Sequence, residues 1–110
     1  MEGLVKGDVV VAPFPYSDFS QVKIRPTLVI AVLSGYDLIL CEITSQPVRN
    51  QYVIPVSNAD FDTGSLNQDS NIRPEKITII ERRLVRYKVG SLKQEKTEEV
   101  VRKIVDIIEQ

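Results

Sequence analysis

Hydrophobic positions change rhythm once along this chain. Up to about residue 92 they come in short bursts, cut by Gly, Pro, Asn, Asp and Ser; from Gln94 onward they recur every three or four residues. The first rhythm predicts strands and the second a helix. Residues 5–14 are Val-rich and read as a strand that Pro13 and Pro15 end, because Pro donates no ladder hydrogen bond. Residues 17–23 are a mostly polar loop. Residues 26–33 are almost continuously apolar, as expected of a strand covered on both faces. Ser34-Gly35 marks a hairpin, and residues 37–44 return from it. Residues 47–50 read as a turn, and residues 51–56 as a short strand that Pro55 places at an edge.

Farther on, residues 57–68 have the composition of a connection. Residues 70–73 are extended ahead of Pro74, since the residue before Pro avoids the helical region. Residues 76–81 form a strand, residues 81–86 show no clear alternation, and residues 87–92 are extended again. From 94 to 109, Val100, Val101, Ile104, Val105, Ile107 and Ile108 lie on one helical face. Glu95, Glu98 and Glu99 suit its N-terminal dipole, and Glu98–Arg102 and Glu99–Lys103 are favourable pairs. Short strands with close turn signals and one late helix predict a mainly β chain, a small, strongly bent antiparallel barrel with a C-terminal α-helix, as one domain over residues 1–110.

Composition narrows the chemistry. The 110 residues are 43% hydrophobic and 26% charged, a globular balance with a net charge of −1. The chain has no His, so imidazole metal sites and His-based relays are excluded; its single Cys, Cys41, can form no internal disulfide. Lacking an activating base, Cys41 reads as a core residue. The near-neutral charge disfavours an always-on nucleic-acid binder but permits a local basic groove. No targeting segment shows at residues 1–6, and the apolar run at 28–33 is too short to span a bilayer, so a cytoplasmic protein without membrane association is expected.

Four motifs then carry a resemblance. Gly7-Asp8-Val-Val-Val-Ala-Pro-Phe14, a polar loop and Arg25-Pro26-Thr-Leu-Val-Ile30 come first; Ile43-Thr44-Ser45-Gln46 closes the third strand. Asn71-Ile-Arg73-Pro74-Glu75-Lys76-Ile77 follows, and Lys88-Val89-Gly90-Ser-Leu92 leads into the helix. In this order they resemble the MazF/PemK-type toxins over residues 5–108. The resemblance implies an SH3-like barrel related to the MazF, PemK and CcdB folds and a homodimer. It also implies metal-independent cleavage of single-stranded RNA without a cofactor, and a cognate antitoxin protein as partner.

Such cleavage uses the substrate's own 2′-hydroxyl and needs charge stabilisation on the phosphoryl oxygens together with proton transfer. Arg25 suits the first need, because a guanidinium holds two phosphate oxygens at once. Thr44 can donate a hydroxyl, while Arg73 and Glu75 can hold a second phosphate and act as base. Ser45 and Gln46 are candidate base contacts. In the 17–23 loop, Lys23 and Phe19 have the cation-and-aromatic character that grips single strands, although Phe19 can equally plug the barrel end. Arg82, Arg83, Arg86 and Lys88 form a dense basic cluster, readable as a phosphate-tracking stripe, an attractor for an acidic antitoxin tail or a solvated face. Two other classes fit the same fold, a toxin that binds DNA gyrase and a non-catalytic RNA-binding barrel.

Overall fold

The computed structural model describes residues 3–110; residues 1 and 2 of the leading segment lie outside the described residues. Its strands are β1 (Asp8–Pro15), β2 (Val22–Val32), β3 (Asp37–Thr44), β4 (Ile54–Val56), β5 (Phe61–Gly64), β6 (Ser70–Glu81) and β7 (Tyr87–Leu92). Short 3-10 turns occupy Asn58–Asp60 and Arg82–Leu84, and helix α1 spans Gln94–Glu109. The strands form one seven-stranded sheet in the order β4-β6-β3-β2-β1-β7-β5. The pairings within it are antiparallel. Among the described residues no helix is long and apolar enough to cross a membrane.

The continuous apolar runs are explained by two cores. Val9, Leu28 and Cys41 are register partners across β1, β2 and β3. They pack in one cluster with Ile43, Ile72, Phe61 and Leu92, closed by Val100 and Ile104 of α1. Their chain neighbours Val10, Val29 and Leu40 belong to a second cluster with Leu4, Ala12 and Leu38, against which Ile80 and Val85 pack. Successive side chains of a strand point to opposite faces, so a strand with a core on each side must be apolar at every position.

Pro15 is the last residue of β1, as expected, but Pro13 lies inside it; they pair with Val22 and Ile24 of β2. Only Asp8–Val11 of β1 also pairs with β7, so from Ala12 on the strand has one open side toward which a missing donor costs nothing. Pro26 sits inside β2 for a similar reason, because β2 pairs with β3 only from Thr27 onward. β2 accordingly starts at Val22, inside the stretch expected to be loop. Pro55 lies in β4, which is an edge strand as expected but covers only Ile54–Val56.

Pro74 occupies a bulge. Cys41 pairs with Ile77 and Glu42 with Arg73, so Pro74, Glu75 and Lys76 are extra residues within one continuous β6. Two strand-like segments are thereby one. In α1, Glu99 pairs with Lys96 at 3.2 Å, and Glu98 accepts from Gln94 at 3.0 Å.

The polar connection hides β5. Ser57 and Asp60 cap the turn before it: Ser57 Oγ accepts from Ala59 N, and Asp60 Oδ2 accepts from Ser57 N. Phe61 is buried against Leu92, its register partner in β7. Where β5 ends, Gly64 and Gly90 lie backbone to backbone. A Cβ on Gly64 would stand 2.2 Å from the Val89 carbonyl oxygen, and one on Gly90 2.3 Å from that of Thr63.

Candidate functional site

The last paired residues of β2 and β3 are Thr27 and Glu42. Beyond them Arg25 and Pro26 continue beside β1, whereas Ile43 and Thr44 stay with β6. A cleft of about 340 Å³ lies at this parting. Arg25, Pro26, Thr44, Ser45 and Tyr87 line it, together with residues 65–68 between β5 and β6.

Arg25 is half-buried, and its Nε is shielded from solvent without a hydrogen-bond partner in the chain. A buried donor left unmade costs free energy, and an anion in the cleft relieves that cost. Thr44 is buried, and its Oγ1 accepts from the Gln46 backbone N at 3.1 Å. That contact occupies a lone pair and leaves the hydroxyl proton free to donate. The Gln46 backbone is itself held, since its carbonyl accepts from Asn71 Nδ2 at 3.0 Å. Gln46 is exposed and does not line the cleft, while Ser45 is exposed on the lining.

Arg73 and Glu75 are brought together elsewhere. Arg73 Nε and Nη2 donate to Glu75 Oε2 at 3.2 and 3.1 Å, and Asn50 Nδ2 donates to the same oxygen at 2.9 Å. Asn50 Oδ1 in turn accepts from Tyr52 N and Val53 N. The pair thus ties the β6 bulge to the loop after β3, and neither residue lines the Arg25 cleft.

Lys23 lines a separate cleft, with its Nζ 2.6 Å from Glu42 Oε2 and 4.8 Å from the centroid of the Tyr16 ring. Arg73 Nη1 stands 3.9 Å from the other oxygen, Glu42 Oε1. Phe19 plugs nothing, being 82% exposed at the loop tip with φ of 59°.

The basic cluster is divided rather than continuous. Arg83 pairs with Glu81 at 2.6 Å, and Lys88 pairs with buried Asp8 at 3.3 Å. Arg82 Nε is shielded without a partner, and Arg86 is exposed. Cys41 is core, as expected. Its Sγ donates to the Arg73 carbonyl at 3.1 Å, and burial pushes its thiol far above the ordinary range, with Glu75 and Glu42 adding to the effect. A protonated, enclosed thiol is no nucleophile.

Two contributors escaped the sequence reading. Tyr87 reaches the cleft because it is the register partner of Val11, itself paired with Pro26. Residues 65–68 reach it because β5 pairs with β7. Neither contact leaves a local signal, since both depend on the sheet order.

A half-barrel of seven antiparallel strands with a C-terminal helix, carrying an arginine and a threonine at one cleft, defines a MazF-like fold. The family model describing the PemK-like, MazF-like toxin of type II toxin–antitoxin systems matches residues 5–108, and the chain belongs to that family. No curated protein matches the chain. Among solved structures, it is similar to an endoribonuclease in complex with its cognate antitoxin from a mycobacterial species, with 10% identity and a TM-score of 0.73. That alignment covers 97% of this chain and 96% of the other. A MazE-MazF structure from Deinococcus radiodurans aligns at 15% identity, TM-score 0.70 and 97% coverage of both chains. The Mycobacterium tuberculosis toxin MazF-mt6 aligns at 18% identity, TM-score 0.65, and 91% and 96% coverage. At these identities the likeness is one of fold.

Proposed function

We propose that this chain is an endoribonuclease toxin that cuts single-stranded RNA by attack of the 2′-hydroxyl on the adjacent phosphate. The products are a 2′,3′-cyclic phosphate and a 5′-hydroxyl end. A cognate antitoxin protein neutralises it, it works in the cytoplasm, and it acts as a homodimer. The observation that carries this reading is the unpartnered Arg25 Nε in a cleft shared with the Thr44 hydroxyl. Family membership and the endoribonuclease and antitoxin-complex structures of the same fold support it.

Each part has a chemical role. Arg25 gathers the charge that builds on the non-bridging oxygens as the phosphorus becomes five-coordinate. Thr44 donates to one of those oxygens, and Ser45 contacts the nucleotide beside it. The residues lining the cleft include no carboxylate, imidazole or thiol. This lining lacks the carboxylate, imidazole and thiolate ligands that hold most catalytic metals, and it supports a reaction driven by electrostatic stabilisation, with the 2′ proton passing to water and a water proton passing to the leaving 5′ oxygen. Arg73 and Glu75 serve by holding the β6 bulge and the loop after β3, which fixes Gln46 and through it Thr44.

The test is cleavage of single-stranded RNA in EDTA, followed by end-group analysis. Fragments ending in 2′,3′-cyclic phosphate and beginning with 5′-hydroxyl are expected. Intact RNA, or fragments with 5′-phosphate ends, would sink the reading.

A further inference from the structure

Glu42 is a buried acidic residue that the cleavage chemistry leaves unused. Its carboxylate is 1% exposed, yet it lines a cleft of about 320 Å³ with Phe14, Pro15, Tyr16, Lys23 and Lys76. The 2.6 Å approach of Lys23 Nζ lies off the line of a hydrogen bond, so Glu42 Oε2 is shielded from water without an aligned donor. A buried carboxylate oxygen in that state favours any ligand that brings N–H groups to it. Lys76 Nζ reaches Ser17 Oγ in the β1–β2 loop and adds a second cation to the lining.

We infer that this second cleft is a nucleobase pocket that reads guanine. The inference rests on single-stranded RNA being the substrate. Lys23 and Glu42 together present a cationic donor beside an acceptor with two oxygens. Guanine's Watson–Crick edge is the complement: O6 accepts from Lys23, while N1–H and the N2 amino group donate to the carboxylate. Uracil offers an acceptor and one N–H, but turns its second carbonyl against the carboxylate. Adenine and cytosine place an amino group against Lys23 and a ring nitrogen acceptor against Glu42. Single-stranded bases are recognised in this manner, splayed out, stacked on aromatic side chains and hydrogen-bonded along the Watson–Crick edge. Phe14, Pro15 and Tyr16 supply the apolar wall, and Lys76 can meet the flanking phosphate.

Lys23 is two positions from Arg25 on β2 and Glu42 is two from Thr44 on β3, so the same two strands supply residues to both clefts.

Uridine-rich oligomers blocked with 2′-O-methyl groups and carrying one guanine test this by fluorescence anisotropy, beside the same oligomers with inosine or adenine there. Inosine lacks only the 2-amino group, and about tenfold weaker binding is expected for it. In Glu42→Gln the side chain keeps one acceptor and gains a donor, and the guanine-to-inosine ratio should fall to near one. Tyr16→Ala, at a partly exposed residue, should weaken the guanine oligomer severalfold and leave the ratio unchanged. A wild-type ratio near one, or a ratio that survives Glu42→Gln, overturns the pocket. Should Glu42→Gln not fold, unchanged guanine binding by Tyr16→Ala overturns it. Because the oligomers cannot be cut, guanine preference without nuclease activity would refute the cleavage reading alone, and cleavage without guanine preference the pocket alone.

Discussion

Arg25→Ala is expected to lower the rate of RNA cleavage by about 10²–10³-fold, the usual loss when one pre-aimed electrostatic donor is removed. The same substitution should leave the fold nearly as stable as before. Arg25 Nε has no partner in the chain, and the residue is half-buried, so truncation orphans no buried acceptor. Stability and activity therefore separate at this residue, which a purely structural arginine does not allow. Single-turnover cleavage and a urea melt on the same preparations give both readings. Arg25→Lys should recover only part of the rate, because an ammonium keeps the charge but not the two-pronged grip on phosphate. Cleavage by Arg25→Ala within about threefold of wild type would remove Arg25 from the reaction.

Gly90→Ala should damage both properties at once. Its Cβ would lie 2.3 Å from the Thr63 carbonyl oxygen and 2.8 Å from the Gly64 Cα, both backbone atoms that no side-chain rotation can relieve. Gly64 has a φ of +75°, so the opposing strand also sits in a conformation that other residues resist. The strain is released only by parting β5 from β7. Overpacking of this kind costs about 1–3 kcal/mol. For a domain of this size that corresponds to a drop in melting temperature of about 4–8 °C per kcal/mol. The damage reaches the cleft because residues 65–68, on its wall, follow directly from β5. Cleavage should slow with a raised KM for RNA. A melting temperature equal to wild type would show that the two backbones are not as close as described.

What was legible in the sequence follows from which signals are local. β3 and α1 appear with the bounds that their periodicity implies, because alternation and helical spacing are set within each segment. β7 does as well, since its extended run ends at the polar helix start. β5 was not legible: Asp62, Thr63 and Gly64 are an edge strand only because Phe61 is anchored and Gly90 lets the backbone come close. Pro13 misled because the penalty for Pro depends on how many neighbours a strand has at that point. Among the site residues, Arg25 and Thr44 meet because their strands part where the β2–β3 ladder ends. Both were visible as motif residues. Glu42 was not, since nothing in its neighbours along the chain shows that Lys23 and Arg73 converge on it.

The bulge in β6 has one more consequence. Ile72 and Ile80 are an even number of positions apart, so an unbroken strand would put them on the same face; instead they pack in different clusters. Pro74, Glu75 and Lys76 thus act as a phase slip, after which the strand's inside becomes its outside. Each half of β6 answers to a different core and tolerates volume changes without consulting the other. Along this one strand, sequence drift can proceed as two separate histories, joined at a hinge of three residues.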